Sequence, residues 1–375
     1  MTGREKIQAA FSKESTNEFP AVICYEDIYI RDHWQKLIKC PWWYGIDTNI
    51  NNQIMWHSEI ISAIGQDWFY LPRGYTKEDR ENINIIQKPD GIFRVDKRTG
   101  EERRLYEPKI GGECYQDWNK SQTPATPEEI DYIFWDDIQD KPEDIIKAGR
   151  NDLPERLLNG VCAGLSPLVH VSSPLQDCVS IWGFEGFMLM LNDNPELIKY
   201  TCGLIISLME KGILELKIRG AETVWIEECY LDMISPGMFK EFNMPYITQV
   251  VEMIRAAGMK SVYYHTGDPA GKLKQILEIG ADAVSFEESK KYFTINIEDI
   301  VDEVQGRCTV LGNLNATAFL PVCTTDELRT EISRMIIAGR KNKNRFIVSM
   351  GSPVTPGTSV EKVRLYCDFV HEIGK

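Results

Sequence analysis

His265 is the side chain whose position in the sequence most strongly suggests chemistry. It ends the apolar run of residues 261–265, and Gly267 and Asp268 form a turn just after it. Such a run predicts a buried strand, and a histidine at the C-terminal tip of a parallel strand lies where α/β barrels place their catalytic groups. We therefore expect His265 to be catalytic. The alternative is a histidine that only caps or packs.

Acidic side chains end a second apolar run. Residues 223–226 lead directly to Glu227, Glu228 and Cys229. Two carboxylates at a buried strand tip are costly unless a proton or a cation compensates their charge. A divalent metal ion would do so, and we expect His265, Glu228 and Glu227 as its ligands, with Glu228 also catalytic. The alternative is that one glutamate faces solvent and the other caps the next helix. Side-chain alternation leaves open which of the two faces inward.

The elements that must position these residues alternate from about residue 155 onwards, apolar segments with longer amphipathic ones. This alternation is typical of parallel strands joined by right-handed helical crossovers. The predicted strands are 167–172, 223–227, 261–265, 283–286, 309–312 and 346–350. The predicted helices are 195–218, 236–257, 270–279, 297–304, 325–338 and 360–373. With a strand at 19–24 and one more in the middle of the chain, the pattern predicts an α/β protein, a (β/α)8 TIM barrel. A doubly wound open sheet is the alternative, but no glycine-rich dinucleotide loop follows any strand.

The first 150 residues differ from the rest because they hold seven of the nine tryptophans. These are Trp34, Trp42, Trp43, Trp56, Trp68, Trp118 and Trp135. Residues 91–96 and 103–107 predict a β-hairpin. We expect residues 35–150 to decorate the barrel over its C-terminal mouth and to shape an aromatic-lined substrate cavity. The alternative is that the tryptophans only pack an irregular lobe.

The composition argues against several classes of partner. The net charge is −14 and no dense cluster of Lys and Arg is present, so we expect no nucleic-acid binding. The N-terminus does not read as a signal peptide, and no apolar run is long enough to span a bilayer. The ten cysteines lack the spacing of a disulfide framework or a zinc site. We therefore expect a cytoplasmic protein with reduced cysteines and no membrane partner.

Short motifs near several strand ends form a family-like pattern. They are residues 265–268, 279–283, 312–315 and 356–358, preceded by residues 4–11, 191–196 and 234–246. This pattern resembles the uroporphyrinogen decarboxylase family, whose superfamily also includes corrinoid-dependent methyltransferases. The resemblance runs from end to end and is weakest between about 35 and 150. It implies a single barrel domain over residues 1–375.

Departures from the family pattern indicate the branch. The decarboxylases hold the carboxylates of a porphyrinogen with paired arginines, whereas residues 25–34 here contain Arg31 alone among acids. That composition would repel an eightfold-anionic substrate. The decarboxylases also have a histidine in the final loop, where this chain has Ser352. The thiol-methylating branch binds zinc through a histidine and two cysteines, and Gly267 and Ser352 stand at the cysteine positions while His265 is kept.

The resemblance and these departures imply a corrinoid-dependent methyltransferase of the demethylating type. It would move a methyl group from a methoxylated, aromatic donor to the Co(I) corrinoid of a partner protein. Zinc near His265, or a nearby acid, would activate the donor oxygen. The donor is expected to bind at Tyr29, Arg31, His33, Cys229 and Ser352, with Arg31 suited to a carboxylate. The resemblance also implies that the protein is a monomer or a homodimer.

Three other functions remain open on the sequence. The first is a lyase of the uroporphyrinogen decarboxylase type that acts on a smaller carboxylic acid. The second is a methylcobamide:thiol methyltransferase. The third is a non-catalytic binding protein whose metal site has decayed.

Overall fold

The central element of the protein is a curled parallel β-sheet. The computed structural model describes residues 1–112, 123–134 and 141–375, so that Trp118 and Trp135 lie outside the described residues. Seven parallel strands follow one another around the sheet in chain order. They are Trp68–Tyr70, Ser166–Ser172, Thr223–Glu228, Lys260–His265, Ala283–Phe286, Thr309–Leu311 and Phe346–Ile347. The predicted (β/α)8 barrel is confirmed. The strand Trp68–Tyr70 was not predicted, because the additional strand was expected in the middle of the chain.

Helices connect the strands and cover the outside of the sheet. The longer helices are Gly3–Phe11, Glu26–Leu37, Ile50–Ile64, Pro174–Asp193, Pro195–Arg219, Met244–Ala256, Ile297–Val304, Thr325–Lys341 and Val360–Ile373. Shorter helices are Lys77–Asn82, Pro127–Ile133, Asp144–Lys147, Asp152–Leu158, Pro236–Met238 and Leu273–Glu278, with 3₁₀ turns at Trp42–Ile46 and Leu231–Met233. Among the described residues, no helix is both long enough and apolar enough to cross a membrane.

The ring of strands is closed by residues 20–22. Ala21 forms a parallel bridge to Val348. On the other side, the backbone N–H of Asp67 donates to the carbonyl of Ala21 over 2.9 Å. The predicted strand at 19–24 therefore takes its expected place in the wall, but as a single bridge rather than a regular ladder. Its side chains are nevertheless fully buried, as Val22 shows.

The predicted helix at 236–257 is divided by a π-helical turn. Pro236–Met238 is followed by the π turn Phe239–Asn243, and the regular helix Met244–Ala256 begins after it. Pro245 lacks an N–H and cannot continue an i→i−4 ladder, so the backbone adjusts with one wider turn just before it. This turn places Asn243 against the outside of the sheet, where it contacts Glu228.

Residues 35–150 include a separate three-stranded antiparallel sheet. The predicted hairpin is present as Gly91–Asp96 paired with Glu102–Leu105. A further strand, Ile83–Lys88, pairs with the other edge of Gly91–Asp96 and was not predicted. Apolar and polar residues alternate only weakly in this segment, so its sequence does not show the two-residue period that predicts a strand.

We expect the buried hydroxyl of Tyr366 to stabilise ring closure. Its single O–H proton is shared between the carbonyl oxygens of Val22, 3.0 Å away, and Val348, 2.9 Å away, and so joins the two neighbours at the closing seam. Tyr366→Phe should lower the free energy of unfolding in urea by about 1–3 kcal/mol, because the two buried carbonyls lose the donor that they share. Tyr292→Phe, at an 87% exposed tyrosine, is the matched control and should change nothing measurable. Equal stability of both variants would contradict this role.

Candidate active site

Side-chain alternation along the strand Thr223–Glu228 decides which groups enter the barrel. Trp225 lies against Tyr264 with ring centroids 4.9 Å apart, and the hydroxyl of Tyr264 donates to the carbonyl of Gly351 across the barrel at 2.8 Å. Trp225 and Tyr264 therefore face the interior. Glu227 is two residues from Trp225 and shares its face, whereas Glu228 must point to the opposite face, towards the helices.

His265 lies on the helix side of the sheet. It is 0% exposed and packs among the rings of Phe239, Tyr263 and Phe286. Among the residues that the structure describes, neither ring nitrogen has a partner at good hydrogen-bond geometry, and the backbone of Asp268 is the polar group that interacts with the ring. Burial, with a smaller contribution from Lys272, lowers the pKa of His265 to about 3. The imidazole is therefore neutral and enclosed by aromatic side chains.

Glu228 is also buried behind the sheet, where it joins three elements. Its carboxylate accepts hydrogen bonds from Ser173 Oγ, from Asn243 Nδ2 at 2.6 Å and from Tyr263 Oη at 3.3 Å. Burial raises the pKa of Glu228 to about 7, although all three donors act in the opposite direction. Glu228 links the strand tip to the start of the helix Pro174–Asp193 and to the π turn.

The three residues expected to bind zinc are therefore not brought together. His265 and Glu228 lie behind the sheet, whereas Glu227 faces the interior and pairs with His170. Across the described ranges, no group of three His, Cys, Asp or Glu side chains is arranged to hold a metal ion. Zinc bound by this trio does not fit the structure, because adjacent residues of a strand point to opposite faces.

A histidine that the sequence analysis did not select lies inside the barrel. The Nδ1 atom of His170 is 3.1 Å from an oxygen of Glu227, and its ring stacks on Trp225 with centroids 5.9 Å apart. The edges of Tyr25 and Tyr70 contact the same imidazole. A carboxylate that holds an imidazole in place is a recurring arrangement in acid–base catalysis. The sequence signal was present, because His170 lies two residues before the end of the predicted strand 167–172.

A second polar group lies beside this aromatic cluster, at the ends of the next strands. The ammonium of Lys290 is 2.7 Å from Glu288 Oε1, 2.8 Å from Ser352 Oγ and 3.7 Å from Glu287 Oε1. Glu287 also accepts a hydrogen bond from the backbone N–H of Gly267 at 2.8 Å. Three strand ends are thereby tied together around one cation. We call the C-terminal end that carries His170, Glu227 and this group the mouth.

The residues expected to bind the donor occupy different places. Tyr29 and His33 are buried, their rings are 4.5 Å apart, and the two ring nitrogens of His33 lie close to the carbonyls of Tyr29 and Thr358. They pack helix Glu26–Leu37 rather than line the mouth. Cys229 and Ser352 do lie at the mouth. Burial, together with the charges of Glu227 and Glu228, raises the pKa of Cys229 to about 12, so it is a thiol.

Arg31 lines an aromatic cavity instead. Its guanidinium pairs with both oxygens of Asp32, at 2.8 and 2.9 Å. The cavity beside it measures about 290 Å³, and its lining includes Trp34, Trp42, Trp56 and Tyr106. Trp42, Trp56 and Tyr106 belong to residues 35–150, so this region lines an aromatic space among the described residues. That this space binds a substrate stays a prediction.

The C-terminal part of the chain, which carries most of this site, matches a known protein family. The family model described as "Uroporphyrinogen decarboxylase (URO-D)" matches residues 160–373, which is more than half of the chain. The chain belongs to the uroporphyrinogen decarboxylase family. The matched region contains the six last strands of the sheet and every mouth residue except Tyr25 and Tyr70.

Curated relatives of this family member carry the name uroporphyrinogen decarboxylase. One from Thermodesulfovibrio yellowstonii is 26% identical over 179 residues, which cover 48% of this chain and 49% of the relative. One from Anaeromyxobacter dehalogenans is 24% identical over 273 residues, which cover 71% of each chain. The chain spans about half the length of the first of these relatives.

A solved structure shows the same fold for this family member over its whole length. It is a methyltransferase from Methanosarcina mazei, which matches with a TM-score of 0.63 over 99% of both chains, at 14% identity. At this identity the likeness establishes the fold alone.

We expect Glu228 to make stability depend on pH. Its pKa is about 7 when folded, against an ordinary value of 4.5. Between these pH values the folded protein keeps a proton that the unfolded chain releases, so the stabilisation present below pH 4.5 is lost as pH rises to 7. Glu228→Gln should remove this component, which amounts to at most about 3 kcal/mol between pH 4.5 and pH 8.

Urea unfolding at both pH values measures the effect. Glu372→Gln is the control, since it removes an exposed carboxylate that pairs with Arg329 on the outer surface. If Glu228→Gln kept the full pH dependence of the unmodified protein, the buried carboxyl would not be its source.

Proposed function

We propose that this family member is a methyltransferase that moves a methyl group from a methoxylated aromatic donor to the Co(I) corrinoid of a partner protein. The observation that carries the proposal is the carboxylate-held imidazole of His170 within an aromatic cluster at the mouth. Because the expected zinc ligands are divided between two faces of the sheet, the proposal relies on a protein acid rather than on a metal ion.

The reaction requires a proton at the leaving oxygen. A Co(I) corrinoid would supply the electron pair for the new bond to the methyl carbon, and the electron pair of the broken O–CH₃ bond would remain on the aryl oxygen. His170, with Nδ1 held by Glu227, would protonate that oxygen through Nε2 and then be reprotonated from solvent. General acid catalysis of this kind is worth roughly 10²–10⁴ in rate.

The side chains around His170 support an aromatic donor. Tyr25 contacts His170, Trp225 and Tyr264, each with ring centroids within 6.0 Å. Rings at such spacing attract further aromatic groups by edge and stacking contacts. The indole N–H of Trp225 is buried without an acceptor among the described residues, and an ether oxygen would supply one.

A second candidate is a lyase that decarboxylates a smaller acid. The names of the curated relatives favour it. Release of carbon dioxide without any corrinoid would distinguish this reaction from methyl transfer.

The proposal is tested with free cob(I)alamin and 2-methoxyphenol, and formation of methylcobalamin is followed by absorbance. The unmodified protein should form it, and His170→Ala should lower kcat/KM by about 10²–10⁴ because the leaving oxygen loses its acid. Glu227→Gln should give a smaller loss, because it weakens only the positioning of the imidazole.

His371→Ala is the matched control for these variants. His371 is also paired with a carboxylate, that of Asp67 at 2.7 Å, but Asp67 precedes its strand and lies at the opposite end of the barrel. The control should keep its activity. Absence of methyl transfer from methoxylated aromatics, with a folded protein, would reject the proposal, and carbon dioxide release from added acids would then favour the lyase.

A further inference from the structure

We infer that the mouth selects aromatic donors that carry no anionic substituent, and that Glu287 and Glu288 impose this choice by neutralising Lys290. The inference rests on the proposed function and narrows its substrate class. It concerns charge at a distance from the reacting bond, so it is separable from the chemistry of His170.

Lys290 is the cation that would otherwise attract a carboxylated donor. Its ammonium contacts two carboxylates, Glu288 at 2.7 Å and Glu287 at 3.7 Å. One ammonium group between two carboxylates leaves these three side chains with a net negative charge. An anionic ligand approaching this group would therefore meet net repulsion rather than an ion pair.

Packing holds Glu288 in place. The carboxylate is 2% exposed, and Thr317 Oγ1 donates to its Oε1 atom at 2.9 Å. A Cβ atom at Gly351 would lie only 2.6 Å from Oε2, so the last loop closes directly over this carboxylate. Glu288 cannot swing aside to release Lys290 for a ligand.

Arg31, beside the aromatic cavity of the N-terminal region, is likewise paired, because both oxygens of Asp32 bind its guanidinium. The aromatic faces of Tyr25 and Trp225 add an environment that attracts neutral rings and cations rather than anions. Charge and aromatic surface thus favour the same class of donor.

The experiment compares two donors that differ by one carboxylate, 2-methoxyphenol and 4-hydroxy-3-methoxybenzoate. Binding is measured by calorimetry without corrinoid, and methyl transfer to cob(I)alamin is measured separately. The unmodified protein should bind the phenol at least about tenfold more tightly than the benzoate, because the net negative charge around Lys290 repels the carboxylate of the benzoate.

Glu287→Gln is the informative variant. The amide oxygen can still accept the N–H of Gly267, but the charge beside Lys290 is removed. This variant should raise the affinity for the benzoate relative to the phenol by about tenfold. The double variant Glu287→Gln, Lys290→Met should lose this gain in affinity for the benzoate. Glu372→Gln, which loses a surface ion pair far from the mouth, should leave the ratio unchanged.

The outcomes separate the two proposals. Equal binding of both donors, tighter binding of the benzoate, no binding of the phenol, or an unchanged ratio in Glu287→Gln would overturn the selection by charge. Preferential binding of the phenol without any methyl transfer would instead uphold the selectivity and reject the methyltransferase reaction.

Discussion

The alternation of side chains on the strand Thr223–Glu228 is the constraint on which the site depends. Glu227 and Glu228 are chemically similar neighbours, yet one enters the barrel and the other is enclosed behind it. Inside, Glu227 holds His170 against Trp225. Outside, Glu228 accepts hydrogen bonds from hydroxyl and amide groups and helps to pack the helices on the sheet. The division of roles follows from backbone geometry, not from residue type.

Much of the fold could be predicted from the sequence, because most strands of the curled sheet are short apolar runs and several of the longer helices have clear end signals. Helix Pro195–Arg219, for example, begins after Asn194, whose side chain caps it, and ends at Gly220 in the left-handed conformation. The place of residues 20–22 in the barrel wall could be predicted from the sequence, but their pairing through a single bridge could not. The π turn before Pro245 depends on a local backbone adjustment that periodicity does not reveal.

The site was harder to predict, because a strand tip shows which residues are near the mouth but not which way they point. A shift of one residue exchanges the two faces, and His265 falls on the helix side for this reason. His170 had the same kind of signal at its own strand end, but no acidic neighbour in sequence drew attention to it. Its partner Glu227 is 57 residues away and is joined to it only by the register of adjacent strands.

The closing seam between Ala21 and Val348 also bears on how the barrel is assembled. These residues lie near opposite ends of the described chain, so their pairing closes a much longer loop than the pairing of neighbouring strands, and the entropy of closing a loop grows with its length. The adjacent strands from Ser166–Ser172 onwards are joined by far shorter segments. We therefore expect the contact between Ala21 and Val348 to form after the neighbouring strands have paired, which makes ring closure a late event on the route to the native state.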